Sequence, residues 1–547
     1  MANIAVALVE ATRRGGGNTA LIAKERGRWQ RWTFSEIHAH TASYAGFLRG
    51  QGICPGDRVM LMVKPSKEFV CLAFALFAAG AVVILIDPGM GYRNLLRCIG
   101  SVKPSVLIGI PKAQLFSRLF RSPFVTIRRR ICVGRAFGLL GTELPKPQPM
   151  GELDITPTKD GDLAAIIFTT GSTGPPKGVR YEHRIFQAQL DQIRDYYRIG
   201  PGDVDQPAFP LFALFSIALG ASAVIPDMDP TRPAQVDPEK FIQTINEYGV
   251  TYSFGSPAIW NVISRYALTH AIRLPSLRKV LMAGAPVSGE LIERLHAVLH
   301  DDAEIHIPYG ATESLPIVSI TGREALAETW PLTQQGLGVC VGRALPGIEV
   351  RIIPVSDDPL GRLPDALPLR VGDDEGLKLA SCPIGEIIVR GPVVTMAYDN
   401  NDQENLLAKI QDGDGAWHRV GDLGYCDDAG RVWFCGRKAH RVRTANGTLY
   451  TICCEAVFNC HPLVSRSALV GVGEPGRQLP VLIVEPNATI TDTGTLFVEL
   501  RKLALQHAHT AVIENFLVHD SFPVDIRHNA KIFREKLAVW AAGKVSG

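Results

Sequence analysis

Residues 58–88 read RVMLMVKPSKEFVCLAFALFAAGAVVILIDP, and this stretch decides the fold class. Residues 58–63 and 81–86 are apolar runs without polar alternation, which predicts strands of a parallel sheet covered on both faces. Residues 66–79 between them have the length of a crossover helix, and Gly80 is its stop signal. The stretch therefore predicts a βαβ unit in the core of an α/β domain.

The strand-and-helix pattern recurs along most of the chain. Further short apolar strands are predicted at residues 105–110, 164–168, 251–254, 279–282 and 304–307. After about residue 340 the pattern changes to paired strands with Gly and Pro turns between them, which is typical of an antiparallel region. We therefore expect an α/β protein with a large N-terminal domain, residues 1–437, made of two doubly wound lobes plus an antiparallel β region. A small α+β domain is expected over residues 438–547.

Length and composition narrow the class of protein. A chain of 547 residues is too long for a single core and can enclose a buried active site. With 46% hydrophobic and 20% charged residues and a net charge of +3, it fits an ordinary folded protein and offers no basic surplus for nucleic acid. Residues 69–86 and 207–226 are uncharged and nearly long enough to span a bilayer, but the first is the βαβ unit and the second contains Pro210 and Gly220. No transmembrane segment is expected.

The cysteines and the N-terminus indicate a cytoplasmic protein. The 11 cysteines lack paired CxxC spacing. Cys453, Cys454, Cys460 and His461 form the tightest group, for which the alternatives are reduced, packed thiols and a metal site. The first residues show no basic region ahead of a long apolar core, so no secretory signal is predicted.

The strongest chemical signal is IIFTTGSTGPPKGV at residues 166–179. A predicted buried strand leads into a loop that supplies hydroxyls, glycines and Lys177. Glycines let a backbone approach an anion closely, amides and hydroxyls donate to phosphate oxygens, and the lysine offsets the negative charge. The order of glycine and lysine is not that of a Walker A loop. The pattern predicts a phosphate-binding loop formed by Thr169, Thr170, Gly171, Ser172, Thr173 and Gly174.

This loop resembles the signature of the adenylate-forming superfamily, and five further motifs of that superfamily follow in the expected order. The resemblance implies that Gly284, Ala285 and Pro286 lie along adenine, and that YGATES places Tyr309 and Gly310 at the adenine ring. It also implies that Thr312 contacts phosphate and that Glu313 coordinates Mg²⁺, a cation that prefers oxygen ligands. ATP and Mg²⁺ are thus the expected cofactors.

The later motifs complete the implied site. GDLGY resembles the motif in which an aspartate, here Asp422, accepts both ribose hydroxyls, and Arg437 matches the arginine that also reaches the ribose. FPVDIRHNAKIFREKL resembles the C-terminal motif that inserts a lysine, here Lys531, for adenylation. The resemblance therefore implies that the small domain is mobile and that Lys531, Thr312 and Lys177 are catalytic.

An apolar acyl pocket is predicted at residues 209–215. The chain reads FPLFALF there, with Ala213 where many acyl-CoA synthetases have histidine. Phe209, Phe212, Ala213 and Phe215 are the substrate-binding candidates, and ordinary core packing is the alternative explanation of these aromatic residues.

Two departures from the superfamily pattern put transfer to CoA in doubt. Ala439 stands where the hinge usually has Asp or Lys. In the segment that thiol-transferring members use, Ile452 replaces the usual proline and Cys454 lies near the position of a glutamate. The conserved lysine motif has Ala530 instead of glycine, which is a mild change.

Over nearly its whole length the chain looks similar to the β-lactone synthetases of bacterial long-chain olefin biosynthesis, above all in GAPVSGELIERLH and IPYGATESLP. That resemblance implies a long-chain 2-alkyl-3-hydroxy fatty acid as substrate, whose own hydroxyl attacks the acyl-adenylate. A long-chain fatty acyl-CoA synthetase or acyl-AMP ligase is the alternative. Candidate bases for the hydroxyl proton are His183, His306 and His440. Association with other olefin-pathway enzymes is also implied.

One stretch predicts a contact surface. Residues 115–137, LFSRLFRSPFVTIRRRICVGRAF, combine apolar and basic side chains. The alternatives are a solvated face of the large domain and a surface for a partner or for peripheral contact with a membrane.

Overall fold

The computed structural model describes residues 3–148, 151–168, 175–209, 211–367, 383–413, 415–487, 492–524 and 531–545. Within these ranges the helices are α1 Ala5–Gly15, α2 Phe34–Gly50, α3 Lys67–Ala78, α4 Tyr92–Val102, α5 Pro111–Leu119, α6 His183–Tyr197, α7 Phe212–Ala218, α8 Pro238–Tyr248, α9 Pro257–Thr269, α10 Gly289–Val298, α11 Gly322–Glu324, α12 Trp330–Gln334, α13 Asp402–Ala408, α14 Thr451–Phe458, α15 Thr493–Ala504 and α16 Arg534–Val545.

The strands up to the end of the second lobe are β1 Thr19–Glu25, β2 Arg28–Thr33, β3 Arg58–Met62, β4 Val82–Leu85, β5 Val106–Gly109, β6 Arg129–Cys132, β7 Thr142–Glu143, β8 Leu163–Phe168, β9 Gly178–Glu182, β10 Val204–Asp205, β11 Ser222–Val224, β12 Tyr252–Gly255, β13 Lys279–Met282 and β14 Glu304–Ala311. Those that follow are β15 Ser314–Thr321, β16 Val339–Ala344, β17 Glu349–Ile353, β18 Gly385–Arg390, β19 Lys409–Asp412, β20 Gly415–Cys426, β21 Val432–Arg437, β22 Val442–Thr444, β23 Gly447–Leu449, β24 Val464–Val472, β25 Leu479–Pro486 and β26 Asn515–Val518.

The first lobe is built on a sheet of order β7-β6-β5-β3-β4-β8-β9. All its neighbouring strands are parallel except β8 and β9, which form an antiparallel pair. Helix α3 begins at its cap Ser66 and is buried from Phe69 to Ala78 against one face. On the other face, Leu95 and Ile99 of α4 pack against Met60 and Ile84. The predicted βαβ unit and its burial on both faces are confirmed.

The second lobe and the antiparallel region share one sheet. Among the described residues its order is β17-β18-β20-β21-β16-β15-β14-β13-β12-β10-β11-β1-β2, with β19 paired to β20. The strands from β1 through β11, β10, β12 and β13 to β14 pair in parallel with their neighbours. The direction reverses at the β14–β15 hairpin. Pairing of Tyr309 with Val318 extends β14 beyond the predicted residue 307. The antiparallel region therefore continues the second lobe instead of forming a separate layer.

The small domain has its own sheet, β24-β25-β26, with helices on both faces. Leu469 and Leu482 face a core that includes Leu496 of α15, whereas Val470 and Val481 face a core that includes Leu537 of α16. Helix α14 also contacts the large domain, because its Cys453 is buried in the same apolar cluster as Cys435 of β21. The α/β class with a large and a smaller domain is thus confirmed.

The two long uncharged stretches are part of this packed core. Residues 69–86 fall in α3 and β4, and residues 207–226 include α7 and β11. No helix among the described residues is long and apolar enough to cross a membrane.

Candidate active site

One large cavity collects most of the predicted site residues. It encloses about 2460 Å³ and is lined by both lobes and by the small domain. Many lining residues lie at or just after the carboxyl ends of parallel strands, such as Met62 at the end of β3, Phe254 near the end of β12 and Ala283 after β13. This edge is where α/β sheets bind ligands, because the strand ends and the following loops leave a crevice there.

The predicted ribose end of the site is a charged cluster. The Tyr309 hydroxyl donates a hydrogen bond to Oδ2 of Asp422 over 2.6 Å, and Arg437 Nη1 lies 3.0 Å from Oδ1 of the same carboxylate. Burial raises the pKa of Asp422, while the charges of Arg437 and Lys531 lower it. Lys531 therefore lies close enough to the predicted ribose carboxylate to act on it electrostatically, and it lines the same cavity.

The predicted phosphate end of the site is a second cluster, built around Tyr398. The Tyr398 hydroxyl donates to Oε1 of Glu313 over 2.7 Å, and the ammonium of Lys177 lies 5.2 Å from the centre of the Tyr398 ring. Lys177 also forms an ion pair of 2.6 Å with Glu404 of α13. The structure thus brings the predicted phosphate lysine and the predicted metal carboxylate together through one tyrosine.

Behind Glu313 lies a buried lysine. The backbone N–H and the hydroxyl of Thr395 both donate to the Glu313 carbonyl oxygen, and Lys409 of β19 donates to the Thr395 carbonyl oxygen. Burial lowers the pKa of Lys409 to about 7, partly offset by the negative charge of Glu313. These contacts fix the backbone and the electrostatic environment of the carboxylate.

Glycines shape the path between the two ends. A β-carbon on Gly310 would lie 2.4 Å from the Ser314 carbonyl oxygen, so only glycine fits in the turn that presents Thr312 and Glu313. Gly284 has a φ of +97° and lies with Ala285 and Pro286 in the cavity wall, after strand β13. The Thr312 carbonyl oxygen accepts a 2.5 Å hydrogen bond from the Tyr181 hydroxyl, which holds this turn against the first lobe.

The predicted phosphate loop itself, Thr169, Thr170, Gly171, Ser172, Thr173 and Gly174, lies outside the described residues. Its flanks are described: Phe168 ends β8, and Lys177 precedes β9, which pairs antiparallel with β8. Both flanking residues line the cavity.

The predicted acyl pocket has an aromatic wall, but Ala213 is not part of it. Phe209, Phe212 and Phe215 line the cavity, and Phe212 stacks on Phe254 with ring centres 3.9 Å apart. Ala213 is fully buried in the main apolar core and does not line the cavity. Because successive residues of a helix turn by about 100°, Ala213 points away from the side that carries Phe212 and Phe215.

The three candidate histidines differ in whether they reach the cavity. His183 and His306 are buried and do not line the cavity; His183 Nδ1 accepts from the Ile4 N–H, and His306 lies against Glu304 and the Tyr197 ring. His440 lines the cavity, in the short turn that follows β21. Burial lowers its pKa to about 3, with Arg534 and Arg437 adding to the effect, so the ring is neutral at pH 7.

The side chains of the cysteine group are not arranged as a set of metal ligands in the described part of the chain. Among the described residues no group of three or more His, Cys, Asp or Glu side chains could hold a metal ion, and the ten described cysteines are all free. The prediction of packed thiols holds for Cys453 and Cys454, which are buried, whereas Cys460 is exposed.

Sequence reasoning missed Tyr398, Glu404 and Lys409. They lie in residues 398–409, between the motifs at Glu313 and Asp422, in a segment without a recognised pattern. An unusual apolar environment around Lys409, in ENLLAKIQ, was the only available signal. Their role depends on pairing between distant parts of the chain, which no local pattern predicts.

A large cavity at the strand ends of two α/β lobes, lined by Tyr309, Asp422 and Lys531, is the arrangement expected of an adenylate-forming enzyme. A family model described as AMP-binding enzyme matches residues 8–399, and the chain belongs to that family. The expectation that it uses ATP is supported by this membership.

Two curated relatives give a finer placement. The chain is 46% identical over 522 residues to the olefin beta-lactone synthetase of Xanthomonas campestris pv. campestris, covering 93% of this chain and 91% of that protein. It is 45% identical over 520 residues to the olefin beta-lactone synthetase of Stenotrophomonas maltophilia, covering 94% and 91%. The fold is shared with the amide bond synthetase McbA from Marinactinospora thermotolerans, at a TM-score of 0.79, 21% identity and coverage of 98% and 99%.

Proposed function

We propose that this protein activates a long-chain 2-alkyl-3-hydroxy fatty acid with ATP and then closes it to a β-lactone. The observation that supports this best is the convergence of Lys531, Asp422, Arg437, Tyr309 and Glu313 on one cavity in a chain that is 46% identical to an olefin beta-lactone synthetase. The products are the β-lactone, AMP and pyrophosphate.

In the first step the substrate carboxylate attacks the α-phosphorus of ATP, and pyrophosphate leaves. Lys531, carried by a mobile domain of residues 438–547, orients the carboxylate and offsets the charge that develops on the phosphate. Asp422 accepts hydrogen bonds from the ribose, and Arg437 fixes the Asp422 carboxylate in its position. Lys177 and Thr312 bind phosphate oxygens, together with the loop of residues 169–174.

Glu313 is the proposed ligand of Mg²⁺. The donor set fits, because one carboxylate oxygen is held by the Tyr398 hydroxyl and the carboxylate faces the cavity, while Mg²⁺ takes the rest of its oxygen ligands from phosphates and water. When bound, the ion would neutralise phosphate charge. The Tyr398 hydroxyl would keep the carboxylate fixed in the cavity wall.

In the second step the substrate's own 3-hydroxyl attacks the acyl carbon, the bond to AMP breaks, and the hydroxyl proton leaves. We assign this proton to His440, because it is the one of the three candidate histidines that lines the cavity. A tethered hydroxyl has an effective molarity that can reach roughly 10⁵ M, and it needs no thiol. Ala439 and Ile452, which depart from the thiol-transferring pattern, are compatible with that route.

The test is incubation with ATP, Mg²⁺ and a long-chain 2-alkyl-3-hydroxy acid without CoA, with pyrophosphate release and the mass of the product as readouts. We expect β-lactone and AMP from the wild type. Lys531→Ala should lower pyrophosphate release at least roughly a hundredfold, because it removes the charge at the α-phosphate. His440→Ala should retain exchange of labelled pyrophosphate into ATP but lose lactone.

Lys502→Ala, an exposed lysine of the same small domain, is the matched control and should behave as the wild type. Formation of a thioester only when CoA is added would replace the lactone step by acyl-CoA synthesis. Full pyrophosphate release by Lys531→Ala would contradict the proposed adenylation site.

We also propose that residues 115–137 contact an anionic membrane. Leu119, Val125 and Phe137 are exposed by 74%, 81% and 73%, in a stretch that carries many arginines. Apolar side chains beside basic ones match the interface of an anionic bilayer. The protein should sediment with vesicles that contain phosphatidylglycerol, and Leu115→Ser combined with Leu119→Ser should abolish this, whereas Leu268→Ser should not. Equal sedimentation of all three proteins would refute the contact.

The cytoplasmic location and the association with other olefin-pathway enzymes stay predictions. Free thiols in the described part of the chain are compatible with a reducing compartment.

A further inference from the structure

The cavity has two apolar walls, and they lie on different lobes. The first-lobe wall consists of Met62, Ile86, Leu95, Ile110, Phe116 and Phe168. The second-lobe wall consists of Leu211, Phe212, Phe215 and Phe254. The sequence predicted a substrate pocket only on the second lobe.

The first-lobe wall is formed at the carboxyl ends of parallel strands. Met62 ends β3, Ile86 follows β4 and Phe168 ends β8, so they reach the same edge of the sheet. Leu95 of α4 and Phe116 of α5 belong to the same apolar cluster. Since this edge is where α/β sheets bind ligands, an apolar surface there indicates a site for an apolar group.

The second-lobe wall belongs to another part of the core. Phe212 stacks on Phe254, and Phe215 packs near Phe186 with ring centres 6.1 Å apart. Phe215 packs against the main apolar cluster, whereas the cluster of the first-lobe wall lies on the opposite face of the β3–β4–β8 sheet. The two walls are therefore separate surfaces that share one cavity.

Polar residues lie between the walls. Lys177, Tyr181 and Gln189 line the cavity, and the Tyr181 hydroxyl holds the turn that presents Thr312. The reacting carboxyl has to reach this polar region, while apolar chains attached beside it gain free energy from burial on either wall.

We propose that the two walls bind the two alkyl chains of the substrate, one chain on each wall. This inference rests on the proposed function, because a 2-alkyl-3-hydroxy acid carries two chains on neighbouring carbons beside the carboxyl group. Chains that leave neighbouring carbons diverge, and walls on two lobes accept diverging chains from one reacting centre. The structure therefore assigns substrate selectivity to both lobes, with the first-lobe wall as the part that distinguishes two-chain acids from simple fatty acids.

The experiment uses two series of synthetic acids, one in which only the 2-alkyl chain is lengthened and one in which only the chain bearing the hydroxyl is lengthened. The readout is kcat/KM for pyrophosphate release. For the wild type we expect a gain of roughly fourfold per added methylene in both series until the wall is filled. Ile86→Trp should shorten the best chain in one series only, and Leu211→Trp should shorten it in the other series only.

Val539→Trp is the control for added bulk, because Val539 lies on α16, is exposed by 77% and does not line the cavity. It should leave both series unchanged. Phe116→Ala and Phe215→Ala provide a second pair that enlarges each wall, and each should lengthen the best chain in its own series. If a tryptophan variant does not fold, these two alanine variants test which wall binds which chain.

The inference is wrong if variants of both walls act on the same series, or if first-lobe variants act on neither. Failure of the proposed function looks different. If no lactone forms while the two series still respond to separate walls, the lactone step fails and the two-wall inference stands. If lactone forms while both pairs of variants act on one chain, only the inference fails.

Discussion

Asp205 shows how burial alone can make one residue sensitive to pH. It is fully buried on β10, Oδ2 accepts a 2.6 Å hydrogen bond from the Ser216 hydroxyl, and desolvation raises its pKa to about 8. The folded pKa lies above the unfolded value, so the native state holds a proton that the unfolded chain releases, and stability falls as pH rises from about 4 to 8.

Asp205→Asn keeps an acceptor for Ser216 but cannot ionise. Its free energy of unfolding should exceed that of the wild type by about 1 kcal/mol or more at pH 8, with the difference falling towards pH 4. Urea unfolding at both pH values tests this, and a difference independent of pH would contradict it.

At the scale of elements, neighbouring strands β18 and β20 share a buried ion pair. Glu386 accepts from Nε and Nη2 of Arg419 over 3.1 and 2.7 Å, and both side chains are almost fully buried. Glu386→Gln leaves the guanidinium without its anion, so the free energy of unfolding should fall by about 3 kcal/mol. The matched control is Glu349→Gln on β17, where an exposed pair with Arg351 has an N–O distance of 3.7 Å, and we expect a change below about 0.5 kcal/mol. Urea unfolding at one pH measures both variants. Equal losses of unfolding free energy would show that the buried ion pair contributes no more than the exposed one.

At the scale of the whole molecule, the proposed adenylation requires the small domain to present Lys531 to the large one. Arg534, three residues after Lys531, donates through Nε and Nη2 to Glu455 of α14 over 2.9 and 2.5 Å, and α14 packs on the large domain. Arg534→Met should therefore lower pyrophosphate release about tenfold or more by loosening the lysine segment. The Kd of ATP, measured by calorimetry, should change less than about threefold, because the nucleotide contacts belong to the large domain. Lys536→Met, an exposed lysine of the same helix, is the control. A parallel loss of ATP affinity would mean that Arg534 supports the fold and not the presentation of Lys531.

The amino-acid sequence by itself determined the fold class and the motif positions. The βαβ unit of residues 58–88 depends on local hydrophobic pattern, and motifs such as YGATES and GDLGY each lie within a few neighbouring residues. Such short-range patterns follow from backbone geometry and burial, so they can be read before any tertiary contact is known.

The tertiary structure decided which residues meet. Tyr398 contacts Glu313 across 85 positions of sequence, and Lys409 of β19 donates to the carbonyl oxygen of Thr395, which in turn holds the Glu313 backbone. The direction of Ala213 away from the cavity, the selection of His440 among three histidines and the first-lobe wall also appeared only in three dimensions. The physical reason is that these features depend on how separate sheets and helices pack, and packing brings together side chains whose local sequences carry no common signal.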